Sequence, residues 1–89
     1  MQTDLPGHDL IAPGLDALVA GAETAAALLV SIGAPRLRQL GLQIADPIPG
    51  GEHRLYELLS HTDPDSAHSR YNSLIRRLVS FERALACAR

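Results

Sequence analysis

"PDSAHSRYNSLIRRLVSFERALA", residues 64–86, is the stretch whose reading decides the fold. Ala67, Tyr71, Leu74, Leu78, Phe81 and Leu85 alternate steps of four and three, and Ile75 widens the stripe. That spacing is one helical face packed against other helices. The segment predicts a helix from about Pro64 to Ala86, with Asp63 as N-cap and Pro64 in the first helical position. At a rise of 1.5 Å per residue such a helix is ~34 Å long. A globule of this size has a radius of gyration of only ~12 Å, so the helix is expected to be the spine of the domain.

Outward from this segment the signals are again helical. Leu15, Leu18 and Val19 mark one face of a first helix. Pro13 suits a first turn, which places the start between Asp9 and Ala12; Gly21 is a natural stop. Residues 1–8 read as a flexible N-terminal arm. In "ETAAALLVSIGAPRLRQLGL", residues 23–42, Ala25, Leu28, Leu29 and Ile32 share a face. Gly33-Ala34-Pro35 predicts a kink or break there, followed by a short helix from Pro35 to Leu40. Gly41 fits the left-handed position after a helix, with Leu42 packing back on Leu37 in a Schellman stop. Residues 43–51, "QIADPIPGG", carry two prolines and two glycines and read as a loop anchored by Ile44 and Ile48. A third helix is predicted from Gly51 to Ser60, burying Leu55, Tyr56, Leu58 and Leu59. The fold class is therefore all-α: one compact, bundle-like domain of four to five helices with a long C-terminal helix.

Composition limits what this domain can do. Eighty-nine residues support one small core, and the 46% hydrophobic content is that of a globular chain. With only three aromatic residues, Tyr56, Tyr71 and Phe81, that core is aliphatic. A small aliphatic core leaves a few kcal/mol of stability, roughly 3–5, so burial against a second chain is valuable. The net charge of -2 disfavours non-specific binding to phosphate backbones. Cys87 is the single cysteine and can form no internal disulfide, which suits a reducing compartment. The N-terminus lacks the pattern of a signal peptide, and no apolar run is long enough for a bilayer. A cytoplasmic protein is expected, and the Ala/Leu/Arg-rich composition fits a bacterial one.

The terminal helix concentrates positive charge. On a helical wheel Arg70 and Arg77 share one flank of its polar face, and Arg76 and Arg83 the other. These four arginines are the expected partner-binding face, with Tyr71, Leu74, Leu78 and Phe81 as the packing seam behind it. The plainer reading is a solvated face whose arginine stems cover the seam edges. Glu82 projects between Leu78 and Leu85, on the apolar side, and needs water or a cation from another element, for which Arg36 and Arg38 are available.

Other constellations carry less. His53, Glu57 and His61 recur every four residues and could ligate zinc with His68 as a fourth ligand; the same spacing is common on wet helix surfaces, and no metal is expected. Asp65-Ser66 resembles the phosphopantetheine-bearing Asp-Ser-Leu of acyl carrier proteins, which are also small, acidic and four-helical. Here Ala67 stands where that motif has leucine, and Ser66 opens the last helix rather than the second; capping explains both residues. Gly33 followed by Arg36 and Arg38 has the outline of a helix-turn-helix, but Gly41 closes the second helix too early to lie in a major groove. Gly50-Gly51 lacks a phosphate-loop pattern, and Cys87 with Arg83 one turn away reads as an inert thiol.

The sequence thus points to a non-catalytic interaction or regulatory module without cofactor, homodimeric through its terminal helix, of the kind that serves as an accessory subunit or as the antitoxin-like half of a two-gene pair. The alternative is a nucleic-acid-binding regulator using Arg36, Arg38 and the terminal arginines.

Overall fold

A computed structural model describes residues 5–88. Four helices follow one another along them: α1 (His8–Ala20), α2 (Ala25–Gln39), α3 (Gly51–Thr62) and α4 (Ala67–Ala88), with no strand among the described residues. α4 is the longest, ~33 Å at 1.5 Å per residue, in a molecule whose longest dimension is 38 Å. The helix at the centre, however, is α2. Ala27, Leu28, Leu29, Val30, Ala34 and Leu37 have no exposed surface, and the consecutive buried residues 27–31 mean that the first half of this helix is covered on every side. α1, α3 and α4 each pack on it.

The chain turns through 94° between α1 and α2. The two helices approach closely at Gly14, whose missing side chain makes room for the Ala26 carbonyl and the Val30 methyl. α1 begins at His8, earlier than the Asp9-to-Ala12 window. Gly7 adopts a left-handed conformation (φ 84°), and its carbonyl accepts the amides of Leu10 and Ile11. Pro13 therefore lies inside the helix, on its exposed side, with Ile11 buried opposite. The buried line is Ile11, Gly14 and Leu18; Val19, expected on that face, is 80% exposed at the uncovered tip. Of the expected N-terminal arm, residues 1–4 lie outside the described residues, Leu5 packs against the core, and His8 opens α1.

α2 runs unbroken through Pro35, so the predicted break and separate short helix are not found. Pro35 is exposed and removes one hydrogen bond to Ser31, a penalty of about 3 kcal/mol. Breaking the helix would uncover Leu37 and Leu40, each stabilised by roughly 1.5–3 kcal/mol through burial. The two leucines outweigh the proline. Thr24 caps the N-terminus through its hydroxyl, which accepts the Ala27 amide at 3.1 Å. The C-terminus is the Schellman stop read from the sequence. The Leu42 amide donates to Leu37 O, the Gly41 amide donates to Arg38 O, and Gly41 has φ 101°.

Residues 42–50 form no regular structure, yet they are fastened to α2. The Ile48 amide donates to Ser31 Oγ at 3.0 Å, while Ser31 Oγ itself donates to the Ala27 carbonyl at 2.8 Å. Arg38 donates to the carbonyls of Ile44 and Ala45. Ile44 and Ile48 pack on the core, as expected of anchors.

α3 buries only Gly51, Leu55 and Leu59, a narrow line at four-residue steps. Tyr56 and Leu58, expected inside, are 39% and 38% exposed. After α3 the chain makes a turn instead of the predicted helix start. The Ser66 amide donates to the Asp63 carbonyl, and the Ser66 hydroxyl donates to Asp63 Oδ2 at 2.8 Å. Asp-Pro in the first two positions of a turn explains this geometry as well as it explained a cap. α4 therefore starts at Ala67, and Ser66, whose carbonyl accepts the Arg70 amide, takes the capping position.

Candidate protein-interaction site

α4 presents its seam to α2 and α3. Ala67, Leu78 and Phe81 are buried, while Tyr71 and Leu74 between them are half-buried. Leu78 lies over Gly33 of α2. Tyr71 stacks obliquely on Tyr56, centroids 5.7 Å apart, and Tyr56 meets the His68 ring edge-on at 6.4 Å. Burial, followed by the charge of Glu52, pushes the Tyr71 hydroxyl above its ordinary pKa.

The four arginines divide into two kinds. Arg77 is tied down: its Nη2 donates to both carboxylate oxygens of Asp9 at 2.8 Å, fastening the start of α1 to α4. That hydrogen bond holds the Asp9 carboxyl below its ordinary range, against a smaller opposing effect of burial. Arg70, Arg76 and Arg83 are exposed, with no acidic partner within 4 Å among the described residues. Arg76 and Arg83 flank Val79 at three and four residues' distance. That valine is 36% exposed, giving a stripe of charge, methyls and charge along the outer face.

Glu82 lies beside Gly33, and the nearest cationic influence on it is Arg36, as the sequence suggested; no ion pair within 4 Å forms. Burial raises its pKa and Arg36 only partly offsets that. Arg38, the other cation considered, is spent on the loop carbonyls. Neither residue of the proposed helix-turn-helix therefore stands on a separate recognition helix.

A second surface was not legible in the sequence. Glu23, just before α2, and Arg54, 31 residues later in α3, form two parallel hydrogen bonds, 2.8 Å and 2.6 Å. The hydrogen bond from Arg54 lowers the Glu23 pKa more than burial raises it. This pair, with Glu57, Leu58 and His61, lines an open groove of about 420 Å³. His53 Nε2 lies 3.3 Å from Glu57 Oε2, both exposed. Among the described residues no group of three or more His, Cys, Asp and Glu side chains is placed to hold a metal ion. Cys87 is exposed near the end of α4.

No single helix among the described residues is long and apolar enough to cross a membrane. Compared with known proteins, the chain matches no family model, no curated protein and no solved structure.

Proposed function

We propose that this chain is a small, non-catalytic protein-interaction module that works as a homodimer, with the outer face of α4 as its contact surface. The observation that carries this reading is the stripe of Arg76, Val79 and Arg83. Its charges are unpaired within the described part of the chain, and its apolar centre is uncovered. Arg70 lies on the other flank of the helix, exposed beside Arg77, which serves the fold through Asp9.

The nucleic-acid alternative is the weaker reading. Of its two residues outside α4, Arg38 is engaged with the loop carbonyls, and Arg36 stands on the unbroken α2 rather than on a separate recognition helix. The test is the molar mass of the purified chain by light scattering over a concentration series, with a DNA and RNA binding assay at low salt beside it. A mass of twice the chain, without nucleic-acid binding, is expected. A monomer at every concentration removes the homodimer, and salt-sensitive nucleic-acid binding transfers the arginines to the alternative.

A further inference from the structure

Two patches that the fold leaves unused are complementary to each other. The first is the outer stripe of α4, an exposed valine between the guanidinium groups of Arg76 and Arg83. The second is the groove beside α3, where Leu58 stands exposed next to the Glu57 carboxylate. Arg54 adds no free positive charge to this groove, because Glu23 neutralises it through two hydrogen bonds. With Glu23 set against Arg54, Glu57 is the remaining carboxylate of the groove, with His53 Nε2 3.3 Å from its Oε2 and His61 also on the lining; it leaves the groove negative around an aliphatic centre, while the α4 stripe is positive around one.

We propose that the groove receives the α4 stripe of a second copy of this chain. In this contact Leu58 packs on Val79, and Glu57 sits within reach of Arg76 and Arg83. The charge distribution favours self-docking over an unrelated partner. α4 holds four arginines and one glutamate in a chain of net charge -2, so the remaining surface is acidic and a second copy supplies the opposite sign. Used reciprocally about a two-fold axis, the contact closes a dimer and leaves neither patch free. The inference rests on the homodimer reading above and adds where each protomer docks.

Charge reversal on the full-length chain tests it, read as the dissociation constant of self-association by sedimentation. Glu57→Arg alone, and Arg76→Glu with Arg83→Glu, each replace an attraction by a repulsion. Each is expected to weaken association by about tenfold. Mixing the two variants makes both contacts of a mixed dimer complementary again and is expected to restore wild-type affinity. Added salt is expected to weaken the wild-type dimer, a readout that needs no variant. Far-UV circular dichroism verifies that the variants fold. A monomeric wild-type chain overturns both this inference and the homodimer reading. A dimer whose affinity is indifferent to the reversals, or a mixture that does not recover, overturns the docking mode alone.

Discussion

Replacing Gly14 by alanine is the sharpest test of how the molecule is assembled. In most helix interiors that change is stabilising by about 1 kcal/mol, because alanine loses less backbone entropy than glycine. Here a Cβ would stand 2.6 Å from Val30 Cγ2 and 2.8 Å from the Ala26 carbonyl carbon, and closer still to the carbonyl oxygen. Ordinary contact begins near 3.4 Å, so α1 must retreat by roughly 1 Å. The obstacle is backbone, which cannot rotate aside. Overpacking of this kind costs typically about 1–3 kcal/mol, and more where the backbone cannot give. The shift also loosens Ile11 and Leu18 against α2. A net destabilisation of about 1–3 kcal/mol is expected, a large share of the few kcal/mol that so small a core leaves. Urea denaturation followed by far-UV circular dichroism measures it, with Gly33→Ala as the comparison. There the new methyl meets the ends of the Leu78 side chain and the Glu82 carboxylate, which can move, so the loss is expected to be smaller. Unchanged or increased stability of Gly14→Ala would refute the close crossing of α1 and α2.

Further expectations follow from single groups. Ser31→Ala removes the acceptor of the Ile48 amide, and a part-buried N–H left unpaired costs about 1–3 kcal/mol; denaturant melts and hydrogen exchange at Ile48 report it. Burial holds the Glu82 carboxyl above 4.5, so the folded chain binds more protons than the unfolded one as pH rises from that value. Stability contributed by this group falls across that window. Glu82→Gln is therefore expected to raise the melting temperature at neutral pH and to flatten its decline above pH 4.5, and equal pH profiles for both chains would contradict the burial. Asp9 is shifted the opposite way by Arg77, so its contribution is present above 3.8 and is lost as pH falls through the lowered value. Arg77→Ala is expected to lower the melting temperature at neutral pH and to narrow the gap in acid.

The helices were legible because their signals are local. The seam from Ala67 to Leu85 and the Gly41-Leu42 stop depend on neighbours within two turns, and the chain folds as they prescribe. Misreadings occurred where tertiary burial overrules a local rule. Pro35 is a helix breaker by itself, and only the packing of Leu37 and Leu40 explains why α2 continues. Val19 and Leu58 are apolar at helical spacing, yet no element reaches them. The groove was invisible for a different reason, since Glu23 and Arg54 meet across 31 residues of chain. The arginines of α4 were legible as a face, but the pairing that removes Arg77 from it spans 68 residues.

The central position of α2 bears on how the chain is made. Synthesis delivers this apolar helix before α3 and α4, both of which pack on it in the folded chain. A nascent chain halted before Ala67 leaves the side of α2 at Gly33 without the Leu78 that covers it in the finished protein. Of the four helices, α4 is thus the one whose arrival completes the cover of α2.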